Sequence, residues 1–197
     1  MSLAALFEQT FGYRSAAFEP HFEPVKGRGA LGVAEKGRYG SPYYAADDLG
    51  REYFMPVTLI YSDGDAGRQR VTLPYPIVSV SGRKVIVETP MTERRGTVKE
   101  LVGTRDFEIT IRGFVVAEGE AFPEAGVIAL RNLFEQALPL TVECPMTDIF
   151  LLRADRSGSD QVVMVQLEFP PVTGVKHVRP YLIRLVSDEP FELEEMK

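Results

Sequence analysis

The segment Asp106–Gly113, DFEITIRG, alternates strictly between apolar and polar residues. Phe107, Ile109 and Ile111 occupy every second position, with Glu108, Thr110 and Arg112 between them. Successive side chains of a strand point to opposite faces, so this segment has one apolar and one polar face. It reads as a half-buried antiparallel strand, and such a strand needs a sheet to lie in. Gly113 closes it, at a position where a bulge or a close backbone approach is expected.

Further strand-like runs surround it. MPVTLIYS, the turn SDGDAG and RQRVTLPYPIVSV read as a hairpin, with Gly64 and Gly67 supplying the turn. SGR then leads into KVIVET. One clear helix follows, FPEAGVIALRNLFEQALP, expected over residues 123–138 with Pro123 as its first residue and Glu124 beside the positive end of the dipole. Val127, Leu130 and Phe134 recur at helical spacing, Ile128 and Leu133 widen the stripe, and Pro139 stops it. Beyond it, LTVEC, DIFLL, QVVMVQLEFP and PYLIRLVSDEPFEL read as strands. Roughly eight strands around one helix give a mainly β fold, an antiparallel β-barrel or sandwich with one flanking helix. The expected core is Phe107, Ile109, Ile111, Val127, Leu130, Phe134, Val163, Val165 and Leu167.

The chain before this domain reads differently. Residues 1–52 are expected to form a short helix and an extended arm, and residues 53–197 the β domain. SLAALFEQTFG suits a helix with Ser2 as N-cap and Gly12 as stop. From Tyr13 to Arg51 no period persists. A floppy tail is the plainer reading, but Tyr39, Tyr43 and Tyr44 are unlike a solvating linker. Tyrosine is favoured at protein interfaces, so these three are expected anchors of an arm that orders against neighbouring chains and is mobile in the free subunit.

Charge and chemistry narrow the function. The chain has 197 residues, a net charge of −6 and 45% apolar residues, enough for a sizeable core and unsuited to general nucleic-acid binding. Cys144 is the one cysteine, so no intrachain disulfide forms, and its apolar setting reads as a buried structural thiol. Asp63 and Asp65 begin like a calcium loop but lack the later ligands, so a turn is expected there. His21 and His177 have no carboxylate or thiol at ligand spacing. No phosphate loop, dinucleotide fingerprint or nucleophile elbow is present. Catalytic, metal and cofactor residues are therefore expected to be none. No apolar run is long enough to cross a membrane, and the start of the chain does not read as a signal peptide. The expectation is synthesis in the cytoplasm without membrane insertion.

From about Thr72 to Leu193 the chain resembles a family of unknown function common in Bacteroidetes genomes and their prophages. The pieces that carry the resemblance are GTVKELVGTRDFEITIRGF, LRNLFEQ, CPMTDIFLL and SDQVVMVQLEFPPVTGVKHVRPYLIRLVSDEPFEL. The resemblance implies a phage tail component, near the baseplate or the end of the tail tube, made in the bacterial host. The layout is also similar to the tail-tube fold, an analogy of architecture alone. It implies a homo-oligomeric ring, with six subunits as the first guess, meeting other tail-tube or baseplate proteins. DNA would pass through the lumen without specific binding. In such a ring TERRGTVKE would be a contact loop, with Arg94 and Arg95 at its tip, Gly96 for the turn and Lys99 beyond. A solvated hairpin loop is the plainer reading. The alternatives are a baseplate adaptor, a small-molecule-binding β-barrel and an enzyme of unrecognised type.

Overall fold

A computed structural model describes residues 36–46, 52–63, 67–73, 75–92, 95–117, 121–152, 158–172 and 176–189. Among them the chain forms eleven strands and two helices. The strands are β1 (Tyr44–Ala46), β2 (Glu52–Phe54), β3 (Val57–Asp63), β4 (Gly67–Leu73), β5 (Ile77–Ser81), β6 (Lys84–Pro90), β7 (Thr97–Thr104), β8 (Glu108–Val116), β9 (Leu140–Glu143), β10 (Gln161–Glu168) and β11 (Val178–Ser187). Helix α1 spans Glu124–Phe134 and α2 spans Pro145–Leu151. The expected N-terminal helix and most of the arm lie outside the described residues.

Seven strands form one antiparallel sheet in the order β4-β3-β9-β10-β11-β8-β5. The fold is mainly β, as the alternation of residues 106–113 requires. β4 and β5 are its two edges, so the sheet is not a closed barrel. A sheet with helices packed on one face, a sandwich-like layout, describes it better. β8 sits inside the sheet, and Ile109 and Ile111 are fully buried against Ile183 and Leu185 of β11. Val57, Leu59, Leu73, Val142 and Val162 join the same core, closed by Leu130 and Leu133 of α1. Gly113 makes the close approach its type foretold: it pairs with Tyr181, whose ring lies where a Cβ would stand.

Four expectations need correction. DIFLL is not a strand but part of α2. Pro145 at the first turn fits a helix start, and the Thr147 hydroxyl donates to the Cys144 carbonyl at 3.0 Å. A short apolar run does not by itself separate strand from buried helix. RQRVTLPYPIVSV is not one strand: it divides into β4 and β5 at opposite edges of the sheet, parted by the Pro-Tyr-Pro run in which Tyr75 has φ 49. Helix α1 ends at Phe134 rather than at residue 138, and its buried stripe runs through Leu130 and Leu133, leaving Phe134 46% exposed. Val163 and Val165 are exposed too: Val162 and Met164 set the core face of β10, and a bulge between Met164 and Gln166 then brings Leu167 to that face. Val165 is the extra residue there, so Val162, Met164 and Leu167 face the core although their spacing is uneven.

Candidate functional site

The strands β5 and β8 do not end at the sheet margin. Beyond Gly82 and Arg83 the first continues as β6, and β7 returns to Asp106 and β8. The amide of Arg105 donates to the Arg83 carbonyl at 2.8 Å, carrying the ladder across the break. The result is one long ribbon whose inner half belongs to the sheet and whose outer half, β6–β7, is a two-stranded sheet of its own. Seven residues at about 3.3 Å each give that outer half a length of about 23 Å.

Cross-strand partners share a face. Ile86 pairs with Leu101 and Glu88 with Lys99 on one face; Val87 pairs with Glu100 and Thr89 with Val98 on the other. A bulge at Val85 and Ile86 adds Val102 to the second strand. Apolar side chains therefore stand on both faces, and the described residues bury neither. Leu101 is 61% and Val102 67% exposed, and Ile86, Val87 and Val98 are exposed as well. A two-stranded hairpin alone in water is marginally stable. Its one described ion pair, Lys99 to Glu88 at 3.3 Å, lies in solvent and adds little.

The root of the ribbon is firm by contrast. The Phe107 amide donates to Ser187 Oγ at 2.9 Å, and the Ser187 amide donates to the Phe107 carbonyl at 3.0 Å. The Phe107 ring meets Phe150 of α2 edge-on, with centroids 5.8 Å apart. Ile149 and Phe150 also expose apolar surface beside this root.

The residues expected to make contacts fall into two groups on separate sheets. Arg95 is exposed at the ribbon tip, next to Gly96 with φ 108, and Lys99 is exposed on β7. Arg94 lies outside the described residues. Tyr39, Tyr43 and Tyr44 belong to the other group, which ends in the hairpin β1–β2. The Arg38 guanidinium lies over Tyr39, 5.9 Å from its centroid. Tyr43 stacks on Phe54 at 6.3 Å, and Tyr44 pairs across the hairpin with the same Phe54 at 5.5 Å. Tyr44 and Phe54 remain half exposed. The chain before β1 also touches α2. Gly37 packs against Pro145, and Ser41 hydrogen-bonds the buried Asp148.

The sequence reading missed the apolar residues of the ribbon. The signal is present: Val85, Ile86 and Val87 are consecutive, as in a strand buried on both faces. It was hidden because such runs normally mark the inside of a subunit.

The described groups that could do chemistry sit elsewhere. Burial pushes the Cys144 thiol up, against smaller opposing hydrogen bonds from the Met146 and Thr147 backbone. His177 is half buried and offers its carbonyl to the Ala117 amide at 2.9 Å. Among the described residues no three His, Cys, Asp or Glu side chains gather to hold a metal, and no helix is long and apolar enough to cross a membrane.

Fold and site together define a β-sheet domain that presents a two-faced apolar ribbon. Residues 72–197 match the model of the domain of unknown function DUF6046, and the chain belongs to that family. Against the curated proteins the chain finds no match.

Proposed function

We propose that the protein is a structural component of a phage tail, a baseplate or tail-tube-end ring protein that assembles with copies of itself and with neighbouring tail proteins. One observation carries the assembly part of this reading: the β6–β7 ribbon leaves the domain with uncovered apolar side chains on both faces. Exposed apolar surface of this kind marks a protein interaction site. The phage setting draws its support from the sequence resemblance alone. The role is architectural rather than enzymatic, and the site of action is the virion tail, after synthesis in the host cytoplasm. The net charge of −6 suits a ring whose lumen lets DNA pass without holding it.

The test is to purify tail particles from a producing host, identify their proteins by mass spectrometry and determine the particle structure by cryo-electron microscopy. The expected outcome is a ring of identical subunits, six as the first guess. Absence from tails, or one isolated copy without symmetric neighbours, would sink the reading.

A further inference from the structure

We infer that the outer edge of β7 is a strand-acceptor site, and that its occupant is the segment following β11, residues 190–195 of the same chain. Residues beyond Glu189 lie outside the described residues.

The sheet order puts the two side by side. β11 pairs with β8 and β8 with β5, and the ribbon continues β8 as β7 and β5 as β6. β7 thus has β6 on one edge, and on the other no strand among the described residues. β11 runs antiparallel to β8, so it leaves the sheet at the ribbon root, in the ribbon's own direction. Its last residue, Ser187, is bonded to Phe107, a short step along the chain from Thr104 at the foot of β7.

Backbone phase fits a third strand. The Ser187 amide donates to Phe107 on the β8 side at 3.0 Å, and the Asp188 amide donates to Gln161 on the β10 side at 2.9 Å. Continued, that alternation turns the amides of Glu189, Phe191 and Leu193 towards β7 and leaves position 190 facing away. Position 190 is proline, which has no amide hydrogen and within sheets keeps to such edge positions. Beside Thr104, the Arg105 amide donates to the Arg83 carbonyl, so the backbone groups of Thr104 point to the open edge.

Charge and pattern agree. Lys84 pairs with Thr104, and the next rung sets Arg83 opposite Arg105, all three bases exposed. Like charges directly opposite each other destabilise a strand pair. Residues 190–195, PFELEE, bring Glu192, Glu194 and Glu195 and no base. Phe191 and Leu193 alternate with glutamates, as in a strand with one apolar face, and the ribbon they would join exposes Leu101 and Val102. At about 3.3 Å per residue the segment reaches about 20 Å, most of the ribbon's length. A third strand is what a marginal two-stranded hairpin lacks. Added at the edge, it leaves both faces of the ribbon open and widens the surface offered to a partner.

The experiment is amide hydrogen exchange by NMR on the full chain, at two protein concentrations about tenfold apart. The Phe191 and Leu193 amides should exchange at least about tenfold more slowly than those of Glu192 and Glu194. Truncation after Glu189 should speed the Thr104 amide by about the same factor and leave the core amide of Ile183 unchanged. Leu193→Pro removes a donor aimed at β7 and should also release Thr104. Glu192→Pro changes a position that faces away and should leave Thr104 protected. Fast exchange at Phe191 and Leu193, a Thr104 amide indifferent to truncation, or equal effects of the two prolines would overturn the third strand. Protection that appears only at the higher concentration would give the edge to a second copy and overturn the occupant from the same chain.

Discussion

The Phe107 ring lies against the backbone of Gly82, so close that a Cβ at Gly82 would stand 2.7 Å from Phe107 Cε1. The ring has no easy retreat, because Phe150 meets it edge-on and two hydrogen bonds to Ser187 fix its backbone. Gly82→Ala should therefore cost about 1–3 kcal/mol through overpacking at the ribbon root. Urea unfolding at low protein concentration measures it. An unchanged midpoint would mean that the ring moves aside freely.

The ribbon itself should contribute little to subunit stability. Leu101→Asp and Val102→Asp change exposed side chains, so each should shift unfolding free energy by no more than about 0.5 kcal/mol in the monomer. The same urea titration decides this. A loss of 2 kcal/mol or more, roughly the size of a core truncation, would place these residues in a subunit core.

Two residues of α1 should behave very differently. Leu130 is buried in the core and Phe134 is exposed. Leu130→Ala should cost about 2–5 kcal/mol, and Phe134→Ala about 1 kcal/mol or less. Thermal unfolding of the two variants side by side checks the order, and an equal cost would contradict the observed stripe.

That stripe illustrates what the sequence makes legible. Local periodicity located β8, β3 and α1 because each carries its own pattern: strict alternation in residues 107–112, a helical repeat after Pro123. Periodicity does not fix phase once geometry departs from the ideal. The buried stripe of α1 steps from Leu130 to Leu133 rather than to Phe134, and the bulge at Val165 reverses the faces of β10. Neither is visible in composition. The separation of β4 from β5 is a matter of which strands pair across the sheet, and long-range pairing leaves no mark in a local window. Of the expected contact residues, Arg95 and Lys99 do lie on an exposed element. The apolar residues beside them do not announce a contact, since an apolar run says that a strand is to be buried but not by what.

The Tyr181 hydroxyl is fully buried and has no hydrogen-bond partner among the described residues. Burial pushes the phenol well up, with a smaller push from Tyr53. Tyr181→Phe keeps the ring over Gly113 and removes the unpaired oxygen. The variant should be as stable as the wild type or more stable by about 1 kcal/mol. Calorimetry gives the answer, and a clear loss would mean that the oxygen has a partner after all.

Asp148 should make stability depend on pH. Burial raises its carboxyl above the ordinary 3.8, against opposing hydrogen bonds from Ser41 and the Cys144 backbone, and Asp160 and Glu143 push it further up. The folded state thus holds this proton more tightly than the unfolded chain. Stability from this group falls as pH rises from the ordinary carboxyl value through the raised one, and returns in acid. Asp148→Asn keeps an acceptor for both donors and removes the charge. The difference in unfolding temperature should favour the variant at neutral pH and shrink towards about pH 4. A difference independent of pH would mean that the carboxyl titrates as in the unfolded chain.

The continuity of the ribbon with the sheet also has a mechanical side. β8 is at once a leg of the ribbon and a strand paired to β11 over nine positions and to β5 over five. Hydrogen bonds in an antiparallel ladder run perpendicular to the strands. A pull along the ribbon therefore loads those rungs in shear, many at a time, instead of peeling them one after another. Tension applied at the tip enters the best-packed part of the molecule directly, so a subunit held by its ribbon is gripped by its core.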